Sequence, residues 1–327
     1  MRSIRRILVA INDPEARSAP ALNKAAQLAR GLGARLELFH ALTWPIYADS
    51  EYGFEEMKAQ DQTRVTKRLQ TLAARLGSQG RGRALKVSIS TAWDSPVYEA
   101  VIRRARAIKA DLIVAEQHHG RHIAPSLLHF NDWELLRQSP VPVLLVKRRG
   151  LYSRPVVLAA VDPTHSMDKP AELDAAILDV SAAVTRALRG KLHSVHAYVS
   201  VPNGIRPTHA LDAEAAAKLK REIAAHARRR YQRLLDRYQI KKARRHLLNL
   251  PPTDAIEAVA ARARSDIVAL GAVSRSGWQR LLIGNTAEAL LDPLPCDLLI
   301  VKPSHFKLRV PRRPTGARFA LATSMTP

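Results

Sequence analysis

A chain of 327 residues, 46% of them hydrophobic and 25% charged, can bury ordinary globular cores, and at roughly 100–200 residues per domain it has room for two. Its one cysteine, Cys296, excludes an internal disulfide framework and suits a reducing cytosol, so a cytoplasmic location is expected. Lysine and arginine number 52 against 29 acidic residues, a net charge of +23 that attracts polyanions in general without reading any sequence.

The chain opens MRSIRRILVAIND, with basic residues ahead of an apolar run, as in a secretory signal. Asn12 and Asp13 cut that run short and no small-residue cleavage site follows, so it reads as a first strand. No apolar run approaches the ~18 residues of a membrane helix, and no membrane partner is expected. Short unbroken apolar runs then alternate with helical spacing: strand 4–11, helix 19–32, strand 35–41, a long helix 52–76, strand 85–90, helix 97–107, strand 112–115, a short helix 132–137 and strand 143–146. Runs without polar alternation indicate strands buried on both faces. Strand–helix alternation predicts a doubly wound α/β domain with a parallel sheet.

The same order then recurs. Pro142-Val-Leu-Leu-Val-Lys147 matches Asp297-Leu-Leu-Ile-Val-Lys302, and Ala110-Asp-Leu-Ile-Val-Ala115 matches Ser265-Asp-Ile-Val-Ala-Leu270; 297 − 142 and 265 − 110 both give 155. Ile7-Leu-Val-Ala-Ile-Asn-Asp-Pro14 likewise resembles Val157-Leu-Ala-Ala-Val-Asp-Pro163. One domain has been duplicated, giving residues 1–150 and 151–304, with a basic tail at 305–327 that is expected to be disordered. The final strands of the two copies would be exposed edges unless they pair, which predicts an intrachain pseudo-dimer. A homodimer of the whole chain stays open.

Ligands of such sheets sit beyond the carboxyl ends of the strands, and the stretch GAVSRSGWQRLLIGNTAEALL (271–291) follows a fourth strand. A glycine there lets backbone turn sharply or approach a ligand. Asn285 and Thr286 can begin a helix whose free amides favour anions, by about 0.3–1 kcal/mol per charge. The other reading is a plain capped helix after a loop.

This segment resembles the G-x2-G-x9-G-[ST] signature of the universal stress protein family. Gly284-Asn-Thr-Ala-Glu288, Cys296-Asp-Leu-Leu-Ile-Val-Lys-Pro303 and, in the first copy, Asn131-Asp-Trp-Glu-Leu-Leu-Arg137 also resemble sequences of members of that family. The resemblance spans residues 4–303 and describes a tandem member, two adenine-nucleotide α-hydrolase-like domains. It implies a cytoplasmic stress-response protein that binds a ligand and regulates, rather than an enzyme. The implied cofactor is ATP or another adenine nucleotide with Mg2+, held in the second copy. Asp162 would face adenine and ribose, Ala197 would present backbone to the base, and Gly271, Ser274, Gly284, Asn285 and Thr286 would line ribose and phosphates. Ser274 replaces the second signature glycine, at a cost of roughly 1–2 kcal/mol if positive φ is needed there, and Asn285 replaces the usual Ser or Thr.

In the first copy the 155-residue offset sets Glu116 opposite Gly271, His119 opposite Ser274, His129 opposite Gly284 and Phe130 opposite Asn285. The acidic side chain would repel a triphosphate and Phe130 would fill the helix mouth, with Asn131 or Asp132 left to cap the following helix. That copy reads as a half without a nucleotide.

Other chemistry finds less support. His118, His119, His122 and His129 match no strong zinc spacing, so no metal site is assigned. Asp162, His165 and Ser166 are adjacent in sequence but lack the nucleophile-elbow motif, and no P-loop motif occurs. Cys296 reads as a packing residue. From His226 to Arg245 nine basic residues face Asp236 alone, over a predicted buried stripe of Leu219, Ile223, Ala227, Tyr231, Leu234 and Tyr238. The alternative function is therefore a basic platform binding nucleic acid or another polyanion non-specifically.

Overall fold

The computed structural model describes residues 3–43, 54–78, 84–117, 125–164, 171–200, 213–272, 285–304, 306 and 309–314, with backbone alone at 54, 125–131, 171, 213 and 285. The first half runs β1 (Arg6–Ala10), α1 (Pro20–Leu32), β2 (Arg35–Leu42), α2 (Phe54–Ser78), β3 (Val87–Trp93), α3 (Val97–Ala107), β4 (Leu112–Glu116), α4 (Pro125–Gln138) and β5 (Val143–Val146). The second runs β6 (Val156–Ala160), α5 (Ala171–Ala187), β7 (Lys191–Tyr198), α6 (Ala213–Leu235), β8 (Arg245–Asn249), α7 (Pro252–Ala263), β9 (Ile267–Gly271), α8 (Asn285–Leu291) and β10 (Asp297–Val301).

The ten strands among the described residues form one sheet in the order β3-β2-β1-β4-β5-β10-β9-β6-β7-β8. Within each half the pairings are parallel, as the apolar runs require. At the centre β10 pairs antiparallel with β5, Leu299 opposite Leu144. The final strands thus hide each other's edges, as predicted.

Alternate residues of each strand serve opposite faces. Ile7 and Val9 enter a core with α1, α2, α5 and α6, while Leu8 and Ala10 enter another with α3, α4, α7 and α8. Helix α1 begins with proline at its first turn and stops at Gly33, whose φ of 65° forms a left-handed cap. It packs across the junction on α5 closely enough that a Cβ at Gly31 would fall on the Ala187 carbonyl oxygen.

Polar groups also stitch the halves together. The Asp297 carboxylate, fully buried, accepts from Lys24 Nζ at 2.6 Å and from the Tyr152 hydroxyl on one oxygen. Its other oxygen accepts from the amides of Lys147 at 2.9 Å and Arg148 at 3.0 Å. Lys147 sends its ammonium to the carbonyl of Leu291 at 2.6 Å, capping the end of α8. Its repeat mate Lys302, 4% exposed, has no hydrogen-bond partner for Nζ among the described residues and lies 4.9 Å from the Phe306 ring centre.

Three sequence expectations are corrected. Helix α4 begins at Pro125 rather than 132, so Phe130, Asn131 and Asp132 lie inside it and none caps it; no glycine or later proline interrupts that run, and Pro125 suits a first turn. Leu219 is exposed at 45%, and the buried line of α6 is Ala227, Tyr231 and Leu235, with Ile223, Leu234 and Tyr238 half-buried. The helical spacing read through Tyr238 also ends early: α6 stops at Leu235, buried Ile240 folds the chain back into the core, and Arg245 starts β8.

Candidate functional site

In the second half, three of the singled-out positions meet at one edge. Asp162 follows β6, Ala197 lies near the end of β7, and Gly271 ends β9, with β9, β6 and β7 adjacent and parallel. The amide of Asp162 donates to Asp174 Oδ1 of α5 at 2.9 Å, and its carboxylate accepts from the Thr164 hydroxyl at 2.7 Å. That carboxylate keeps 21% exposure. Ala197 is half-buried. Asn285 opens α8 and Thr286 follows it half-buried, while Ser274 and Gly284 lie outside the described residues, as do His165 and Ser166.

Gly271 has a packing reason to be glycine. A Cβ there would meet Leu173 Cδ2 at 2.8 Å and Ile177 Cδ1 at 3.0 Å, both from α5. The absent side chain lets β9 sit against α5, whatever the strand end binds.

Two histidines escaped the sequence reading. His196, fully buried, donates Nδ1–H to the Val161 carbonyl at 3.2 Å, with Asp162 Oδ1 4.0 Å away. His40 makes the same bond to Ile11 at 2.7 Å. Strand register equates them, since Ala10 pairs Phe39 and Ala160 pairs Val195. The duplication itself was the available signal: both halves carry histidine one residue beyond those partners. Burial lowers the His40 pKa despite the Ile11 hydrogen bond. The long helices repeat a further device, Arg68 Nε donating to Pro14 O at 3.0 Å and Arg230 Nε to Pro163 O at 3.1 Å. Each arginine ties its helix to the loop after the first strand.

The first half differs where chemistry matters. Glu116 ends β4 as Gly271 ends β9, and its carboxylate accepts from the Ala21 amide of α1 at 3.4 Å. A cavity of about 480 Å3 opens beyond β1, β2 and β3, bounded by Asp13, His40, Asp61, Trp93, Tyr98 and Asp132 among others. A smaller one of about 170 Å3 shares Asn12 and Asp13 with it and reaches Glu116. The four histidines at 118–129 have no described side chains, and the described residues hold no group of three or more metal-ligating side chains. Among the described residues no helix is long and apolar enough to cross a membrane. Cys296 is buried, and burial pushes its thiol pKa up to about 11, consistent with packing.

Comparison with known proteins agrees with this duplicated architecture. Residues 3–147 and 156–302 each match the family model described as "Universal stress protein family". Universal stress protein E of Escherichia coli K12 is 25% identical over 320 residues, covering 93% of this chain and 96% of that protein. The homologue from Haemophilus influenzae is 28% identical over 230 residues, 65% of this chain and 68% of its own. A functionally unknown protein from Pseudomonas aeruginosa PAO1 superposes with a TM-score of 0.67 at 23% identity, covering 92% and 94% of the two chains. A universal stress protein from Archaeoglobus fulgidus gives 0.59 at 13% identity over 90% and 96%. With both halves matched in sequence and the whole chain matched in fold, the chain belongs to the universal stress protein family as a tandem member.

Proposed function

We propose that this protein is a stress-response regulator whose second half holds an adenine nucleotide at the ends of β6, β7 and β9 and does no chemistry on it. The observation that carries this reading is the convergence of Asp162, Ala197 and Gly271 on three adjacent parallel strands, the edge where open α/β sheets take ligands. Asp162 accepts from the ribose hydroxyls, Ala197 offers backbone to the base, and the phosphates with Mg2+ run toward Ser274, Gly284, Asn285 and Thr286. The contrast with the first half supports it, because Glu116 there sets a negative charge where Gly271 sets none. Calorimetry with MgATP on the full chain, on Ala197→Leu and on Gly284→Asp tests the site. Equal heats from all three reject it.

A second reading rests on Arg228, Arg229, Arg233 and Arg237, all exposed on or just beyond α6. As a platform for duplex DNA they give an affinity falling by about 0.9 log units per log of salt for each phosphate neutralised. No binding at low salt removes that reading.

A further inference from the structure

We propose that the first half binds a small organic cation, an ammonium on an apolar or aromatic body, in the cavity beyond β1, β2 and β3. At about 480 Å3 the cavity falls within the roughly 300–1,000 Å3 of small-molecule sites. Its walls combine the aromatic Trp93 and Tyr98 with the apolar Val101 and Leu135, a surface for a ring or chain and, through Trp93, for a cation. Its charged lining members among the described residues are the carboxylates Asp13, Glu15, Asp61 and Asp132 and the cation Arg64, 3.0 Å from Asp61, while Arg68 lies 3.4 Å from Glu15 at the rim, so the carboxylates still exceed these cations by two.

His40 adds no opposing charge. Its Nδ1–H is committed to Ile11 at 2.7 Å, its pKa is lowered by burial, and a neutral ring leaves Nε2 as an acceptor. Glu116, at the far wall of the adjoining cavity, further disfavours an anion beside Asp13. The chain's overall charge of +23 does not cancel this local field, because at 0.15 M salt charges beyond about 8 Å are screened. The duplicated scaffold therefore offers sites of opposite polarity, and the cation site does not depend on a nucleotide in the second half.

Tryptamine is the probe, with tryptophol as its neutral and indole-3-propionate as its anionic counterpart, titrated calorimetrically into the full chain. Tryptamine is expected to bind at least tenfold more tightly than tryptophol, and indole-3-propionate not at all. The double variant Asp13→Asn/Asp61→Asn keeps the acceptor that Asp13 Oδ1 offers the Glu15 amide and should lose tenfold or more in tryptamine affinity, as should Trp93→Leu. Asp236→Asn, exposed beyond α6, should change nothing, and MgATP heats should be indifferent to the first-half variants. Equal binding of tryptophol, tighter binding of the anion, no tryptamine heat at millimolar concentration, or an unaffected double variant overturns the proposal. The ranking of the three probes on the unmutated protein decides the matter even if a variant folds poorly.

Discussion

Replacing Asp297 by alanine tests what holds the two halves together. The side chain is fully buried and accepts four hydrogen bonds, from Lys24, Tyr152 and two backbone amides. Removing it strands the Lys24 ammonium at 2% exposure with, among the described residues, one remaining hydrogen-bond partner, the Arg148 carbonyl at 2.7 Å, and the Tyr152 ring 4.6 Å away. Breaking one side of a buried pair costs about 3–5 kcal/mol, because the surviving charge stays desolvated. Lys24→Met is milder, about 1.5–3 kcal/mol, since Asp297 keeps three donors. In the double variant no charge is stranded, so the combined loss should fall short of the sum by 1 kcal/mol or more, within the ~0.5–3 kcal/mol range of contacting pairs. Urea unfolding of the four proteins supplies the cycle. Additivity within about 0.5 kcal/mol refutes the reasoning.

Three further outcomes follow from the same structure. Gly271→Ala should cost about 1–3 kcal/mol in urea unfolding through its clash with Leu173, and Leu173→Ala should relieve part of that clash; a neutral Gly271→Ala would show that packing does not require glycine. Lys302 has a pKa lowered to about 7 by burial first and Arg137 second, against 10.5 for the ordinary amine. Its buried charge therefore destabilises the fold fully below pH 7, and the penalty fades as pH rises toward 10.5. Lys302→Met should stabilise the protein by up to a few kcal/mol at pH 6, at about 1.4 kcal/mol per pKa unit, with little gain at pH 10; an equal gain at both contradicts the assignment. Cys296, buried with its thiol pushed up to about 11, should resist iodoacetamide at pH 8 in the native protein and react on unfolding. Labelling of the native protein within minutes would show that burial does not protect it.

Much of the fold was legible because one-dimensional patterns record burial. Unbroken apolar runs marked the strands covered on both faces, and the 155-residue offset that paired Glu116 with Gly271 survives in space, each closing its fourth strand. The site was legible more coarsely. Asp162, Ala197 and Gly271 do share an edge, yet periodicity could not tell that Gly271 is small because α5 presses on it. Nor could it choose Leu235 over Leu219: the helical spacing fits both, but no described residue from 214 to 226 is buried.

The sequence by itself determined the duplication, the doubly wound halves and the pairing of final strands, since each follows from the order and covering of apolar runs. Tertiary structure alone decided that Lys24 meets Asp297 across 273 positions, that His40 and His196 occupy equivalent strand ends, and that a cavity rimmed by carboxylates opens in the half without signature glycines. Those contacts depend on where separate elements come to rest, and a periodicity of two or 3.6 residues carries no record of that distance.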